Sequence, residues 1–313
     1  MSVLGIPPAV VNALGAILAI LVIATLIIGV MHLSRAQGAP AELVLRIRSW
    51  WVMFAVFTLA IALNPTVSIV FFALISFLAL KEYFSLIPTR RADRSVLFWA
   101  YLAIAVQYYW VGIGWYGMFL VFIPVYVFLL LPMRMLLIGE TTHFLRATGS
   151  LQWGLMLLVF GLSHLAFLLA LPEEGNPGAG GAGLVLYLVF LTQFNDVAQY
   201  VWGKLLGRRK VVPTVSPNKT LEGLIGGVLT TTLLAWLVGP WLTPLSGYQA
   251  AAAGVLIGFA GFIGDVNISA LKRDLGVKDS GQLIPGHGGI LDRVDSLTYT
   301  APLFFHYLHY LHY

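Results

Sequence analysis

Apolar runs of helical length divide the chain into about ten segments separated by short polar loops. A helix rises about 1.5 Å per residue, so roughly 20 apolar residues cross the hydrocarbon of a bilayer. Such runs cover about 9–31, 50–63, 66–80, 95–111, 114–131, 150–170, 184–202, 221–239, 249–271 and 296–312. The second and third are short and meet at Asn64-Pro65, a turn dipeptide. They read either as two thin spans or as a hairpin that enters and leaves on one side. The predicted fold class is all-α, a polytopic transmembrane bundle of nine or ten helices. No heptad run, internal repeat or soluble domain interrupts the pattern. The run from Ala9 to Met31 has no Lys or Arg before it and is longer than a secretory signal core, so it reads as a retained transmembrane helix.

Composition agrees. Of 313 residues, 59% are hydrophobic and 10% charged, with a mean hydropathy of +0.88; soluble domains run near ~25% charged. The absence of cysteine excludes disulfides and thiolate metal sites. The net charge of +5 forms no nucleic-acid patch, because the cations are shared among alternate loops. Counted from the first helix, all 18 Lys and Arg fall in odd-numbered loops. These hold Arg35, Arg46 and Arg48; Lys81, Arg90, Arg91 and Arg94; Arg134 and Arg146; Lys204, Arg208, Arg209, Lys210 and Lys219; and Lys272, Arg273, Lys278 and Arg293. The even side carries Glu173 and Glu174 in a flexible glycine-rich connector. The positive-inside rule puts the odd loops in the cytoplasm and the chain in the cell's inner membrane. Trp50, Trp51, Trp99, Trp110, Trp115 and Trp153, near span ends, suit interfacial anchoring. His306, His309 and His312, alternating with tyrosines, read as an aromatic belt.

The unusual polar residues gather in the last third, on the cytoplasmic side. Asn195-Asp196 lies in an apolar run, where a carboxylate needs a partner or a cation. The stretch Ser216-Pro217-Asn218-Lys219-Thr220 enters the next span. There Ser216 or Thr220 could cap a helix, or the helix start and Lys219 could meet a phosphate; the two roles are compatible. The third group runs from Asp265 through Lys272, Arg273, Lys278, Asp279, Pro285-Gly286-His287-Gly288-Gly289, Asp292, Arg293 and Asp295. Asp292 and Asp295 share a helix face, where Asp295 could simply favour the dipole. Carboxylates, cations and a glycine-rich turn are what a metal–polyphosphate site needs. His287 suits acid–base work, a phosphate contact or a turn.

The spacing Ser-x-x-Lys-Arg, Lys-Asp, Pro-Gly-His-Gly-Gly-x-x-Asp-Arg-x-Asp over 269–295 resembles the signature of the phosphatidate cytidylyltransferase (CDP-diacylglycerol synthase) family. The stretches NDVAQYVWGKLLGRR and VSPNKTLEGLIGG look like the family's upstream motifs, although Gln199 and Lys204 stand where a small residue and an Arg are expected. The first 180 residues carry only small echoes, such as LKEYFSLI from Leu80 to Ile87. Residues 1–180 therefore read as lipid-facing helices, and 181–313 as the catalytic region.

The resemblance implies transfer of CMP from CTP to phosphatidate, giving CDP-diacylglycerol and pyrophosphate. It implies Mg²⁺, with or without a second cation, on Asp265 and Asp292, and phosphate facing Ser216 and Lys219. The expected catalytic set is Asp265, Asp292, Lys219, Lys272, Arg273, Lys278 and His287. Asn195, Asp196, Ser216, Pro217, Asn218, Lys219, Thr220, Gly288, Gly289, Arg293 and Asp295 are expected to bind substrate. A related CTP-using enzyme acting on another lipid phosphate or a polyprenol is the alternative. A transporter fits poorly, because the charges crowd one face of one half of the chain. Gly223, Gly226 and Gly227 suit close helix packing and are compatible with a homodimer.

Overall fold

The computed structural model describes residues 6–34, 40–90, 94–281 and 288–313. Arg35, Arg91, Pro285, Gly286 and His287 lie outside the described residues. The described chain is helical, with an isolated bridge between Lys210 and Thr220. Its helices are α1 (Pro8–Ser34), α2 (Ala41–Leu63), α3 (Pro65–Leu86), α4 (Arg94–Gly112), α5 (Tyr116–Leu136), α6 (Phe144–Ala170), α7 (Gly180–Leu206), α8 (Leu221–Leu242), α9 (Gly247–Asp274), the short α10 (Leu291–Val294) and α11 (Leu297–His312). Among the described residues, α1 to α9 are long and apolar enough to cross a membrane. The chain is a multi-pass membrane protein. At 16 residues, α11 is shorter.

The α2–α3 hairpin departs from the expectation of short spans. These helices have 23 and 22 residues, enough to cross. Arg46 and Arg48 lie inside α2, and Lys81 and Glu82 inside α3, so charge hides the helix ends from a hydropathy reading. At the turn, Asn64 Oδ1 accepts the Val67 N–H at 2.8 Å, and Pro65 fills the first helical position. A capping box of Ser246 and Gln249 starts α9. Both α5 and α6 contain one π-helical turn, at Phe122–Val127 and Met156–Gly161.

The site is carried by α7, α8, α9 and the segment that leads into α11; α7 packs against α8, α9 and α11, and α9 against α8 and α11. Small residues permit the close approach. A Cβ on Gly223 would lie 2.7 Å from the Gln199 carbonyl oxygen, and one on Gly227 would lie 2.3 Å from Gln199 Cγ. Buried Asn195 stitches three helices together. Its amide donates to the Gly258 carbonyl at 3.2 Å, and its oxygen accepts from the Thr231 hydroxyl at 3.1 Å. Packing is continuous across residue 180: α6 lies against α7 and α11, and α3 lies against α6 and α10. At the opposite end of α11 from the site, His309 stacks on Tyr116 and His306 meets His164 edge-on.

Candidate active site

The loop from Gly207 to Thr220 folds back over the ends of α7 and α8. Thr220 caps α8, its hydroxyl accepting the Gly223 N–H at 3.1 Å, so of the two candidate caps the chain uses the later one. Glu222 holds the other end of the loop by accepting the Arg208 N–H at 2.9 Å. Between this loop, α7 and α9 lies a cavity of about 530 Å³. Asp196, Gln199, Lys204, Lys210, Ser216, Asn218, Lys219, Thr220 and Asp265 line it. Lys210 and Lys219 come from the loop and Lys204 from the last turn of α7. Arg273 ties the end of α9 to the same loop, with Nε donating to the Val215 carbonyl at 3.2 Å.

Lysine–carboxylate pairs dominate the electrostatics. Lys219 Nζ is 2.6 Å from Asp265 Oδ2, and it also donates to Gln199 Oε1 at 3.3 Å. Lys272 Nζ is 2.6 Å from Asp292 Oδ1. Asp265 and Asp292 thus each engage a different lysine. Asp265 keeps a light hold on its own helix through the Ser269 hydroxyl at 3.2 Å. Asp292 is bound more fully. Its Oδ2 accepts the N–H of Ser280 at 2.9 Å and of Gly289 at 3.1 Å. Burial pushes the Asp292 carboxyl up, but the Lys272 ammonium and these two N–H groups outweigh it and hold the group below the usual carboxylate range.

A second acidic group adjoins Asp265. Burial, and then the charges of Asp265 and Asp196, push the Asp295 carboxyl well above the usual carboxylate range. Asp196 Oδ2 accepts the Ser296 hydroxyl at 3.0 Å, while its buried Oδ1 has no partner among the described residues. The buried Gln199 Nε2 and Arg293 Nε likewise have none among the described residues. Lys278, Pro217 and Asn218 are exposed. Asn195, expected to meet substrate, has both amide ends taken by neighbouring helices, as described above.

Among the described residues, no three His, Asp or Glu side chains converge at metal-ligand spacing. The donor chemistry nonetheless fits Mg²⁺, which takes one or two carboxylates and completes its octahedron with water and phosphate oxygens. Asp265, in the cavity wall, offers the Oδ2 that now faces Lys219, and Asp292 the Oδ1 that now faces Lys272.

Sequence reasoning missed Glu82. This α3 residue reaches the signature turn from some 200 residues away. Its Oε2 accepts the Ile290 N–H at 2.8 Å, and its Oε1 accepts the Ser280 hydroxyl. The available signal was the echo LKEYFSLI, in which Glu82 lies. Two glycines of the signature are explained by the same packing. A Cβ on Gly289 would lie 1.5 Å from Glu82 Oε1, and Gly288, at φ +78°, would put a Cβ 2.5 Å from Asp292 Oδ2.

Comparison with known proteins agrees with this geometry. The sequence profile of the cytidylyltransferase family matches residues 44–311, across both halves of the bundle. The chain is 49% identical over 299 residues to the uncharacterized protein YnbB of Escherichia coli (strain K12), covering 96% of this chain and 98% of that one. It is 48% identical over 115 residues to a phosphatidate cytidylyltransferase of Synechocystis sp., covering 36% of this chain and 39% of that one. A phosphatidate cytidylyltransferase of Haemophilus influenzae is 42% identical over 129 residues, 40% of this chain and 45% of its own. The match to these two enzymes therefore spans less than half the length of each. A cation-lined cavity at helix ends, two lysine–aspartate pairs and a profile match over most of the sequence lead to one assignment: the chain belongs to the cytidylyltransferase family of nucleotidyltransferase enzymes.

Proposed function

We propose that the protein transfers CMP from CTP to phosphatidate, forming CDP-diacylglycerol and pyrophosphate, on the cytoplasmic side of the cell's inner membrane. The observation that carries this reading is the cationic cavity at the helix ends, with the short Lys219–Asp265 contact in its wall and a second such pair, Lys272–Asp292, in the signature segment. A water-soluble triphosphate and a lipid phosphate must meet where bilayer and cytosol adjoin. The cation count of the odd loops supports the cytoplasmic side.

The chemistry requires two polyanions to approach. Unit charges ~4 Å apart repel by about 4 kcal/mol at an effective dielectric of about 20. Lys219, Lys204 and Lys210 line the cavity and neutralise phosphate oxygens there, while Lys272, Arg273 and Arg293 come from the signature segment. An ionised phosphate-monoester oxygen of phosphatidate attacks the α-phosphorus of CTP. The bond from that phosphorus to the bridging oxygen breaks, and pyrophosphate leaves with its electron pair. No strong general base is needed, because the nucleophile is already anionic. Asp265 and Asp292, with Asp196 adjoining, would hold Mg²⁺, which when bound supplies charge neutralisation across the CTP phosphates. Lys219 and Lys272, now against these carboxylates, are placed to turn toward phosphate. Gln199, in the cavity wall, holds Lys219 through its side-chain oxygen.

The test is purified protein in detergent with CTP, phosphatidate and Mg²⁺. Pyrophosphate should form only when all three are present, and α-labelled CTP should transfer its label to lipid. Labelled CDP in place of pyrophosphate would instead indicate a kinase acting on a lipid alcohol.

A further inference from the structure

The turn that carries Asp292 is gripped from two sides. From within, Asp292 Oδ2 takes the N–H of Ser280 and Gly289. From outside, Glu82 of α3 takes the N–H of Ile290 at 2.8 Å and of Leu291 at 3.4 Å. Ser280 stands between the carboxylates, its N–H serving Asp292 and its hydroxyl in reach of both Glu82 Oε1 and, at 2.8 Å, Asp292 Oδ2. Glycine occupies the positions where the two acids pass closest. Besides Gly288 and Gly289, a Cβ on Gly281 would lie 2.7 Å from Glu82 Oε1. The backbone here has no room for a side chain, because two carboxylates fill it.

We propose that Glu82 is a positioning residue for the transfer reaction, fixing the turn from Gly288 to Asp292 so that Asp292 and Lys272 hold their paired geometry. This rests on the reading under Proposed function. The argument is one of donors and acceptors. Ile290 and Leu291 begin α10, where backbone N–H groups lack helical partners. A carboxylate, which only accepts, satisfies both of them and the Ser280 hydroxyl at once. Glutamine has nearly the same shape but lacks the charge and keeps one acceptor oxygen. With that oxygen on Ile290 and Leu291, its NH₂ faces Ser280, whose hydroxyl must then accept it and turn its proton to Asp292 Oδ2, so the charge-assisted hold on the N–H groups is lost. Glu82 touches no reacting atom, so its effect passes through Asp292 and Lys272.

The experiment compares full-length Glu82→Gln and Ser280→Ala with the unaltered protein in detergent. It measures kcat, KM for CTP, thermal unfolding, and amide hydrogen exchange over residues 288–292. For Glu82→Gln we expect kcat to fall about 10- to 100-fold, as when an orienting partner is lost, with KM for CTP held within about threefold. Exchange at Ile290 and Leu291 should rise while the rest of α9 and α11 stays protected. Ser280→Ala, which takes the hydroxyl from both carboxylates but leaves Glu82 on the N–H groups, should lower kcat by a smaller factor without raising exchange at Ile290 and Leu291. Unchanged exchange in Glu82→Gln overturns the clamp. Raised exchange with full kcat overturns the positioning role. If Glu82→Gln does not fold, Glu82→Asp, one methylene shorter, takes its place, and raised exchange at Ile290 and Leu291 with full kcat overturns the proposal. An unaltered protein that makes no pyrophosphate refutes the phosphatidate reading itself, and hydrogen exchange then decides alone whether Glu82 holds the turn.

Discussion

Asp265→Asn and Asp292→Asn should separate a stability role from a purely chemical one. At 2.6 Å and an effective dielectric of about 20, the Lys272–Asp292 pair carries about 6 kcal/mol of attraction before desolvation is subtracted. An asparagine at 292 keeps its oxygen toward the Ser280 and Gly289 N–H groups and so presents its NH₂ to the Lys272 ammonium. The pair is largely buried, with side chains 13% and 7% exposed. Removing one partner of such a pair costs about 3 kcal/mol. In a chain this size that lowers Tm by about 5 °C. At 265 the side chain is 25% exposed and lines a cavity where Lys219 can find water. There the loss is about 1 kcal/mol, or about 2 °C. Both variants should lose Mg²⁺-dependent pyrophosphate release. The assay pairs thermal unfolding in detergent with turnover at saturating CTP and phosphatidate. Equal Tm losses would refute the contrast drawn from the two environments, and near-normal turnover in either variant would refute its place in the reaction.

Other outcomes follow from the same geometry. Gln199→Ala removes both the Lys219 partner and the unpaired amide donor, so KM should rise about tenfold with kcat little changed, read from steady-state kinetics. Gly289→Ala drives a methyl into Glu82 and should destabilise by about 2 kcal/mol. Adding Glu82→Ala should restore part of the lost Tm, a sign of direct contact that independent sites would not show. The lowered Asp292 carboxyl contributes stability that is fully present above about pH 4 and disappears as pH falls through its depressed folded value. The Tm gap between the unaltered protein and Asp292→Asn should therefore be flat from pH 7 to about 5 and close in stronger acid.

Much of the architecture was legible because lipid imposes it. Apolar length marks the helices. What hydropathy hid was the reach of α2 and α3, since charged residues at interfacial helix ends lower the apolar average without ending the helix. Chemistry was legible where it is local in sequence, as in the 269–295 signature. Asn195 looked like a site residue because buried polarity is rare, yet its amide spans the gap between helices. Ser216 and Thr220 were equal as caps until backbone geometry chose Thr220. Glu82 could not be placed, because nothing in one sequence says which distant turn an acid at a helix end will meet.

That distance has a consequence for synthesis. The contacts from Glu82 to Ser280 and Ile290 close a loop of about 200 residues, and most of the helices must enter the bilayer in between. The turn can be completed only after residues 280–291 have been made. A fragment released early would carry the cationic loop over α8 without the grip that shapes its partner, and a tail made separately would start α10 with bare N–H groups. The geometry thereby delays competence until insertion is nearly finished, sparing the cell a half-built catalyst in its membrane.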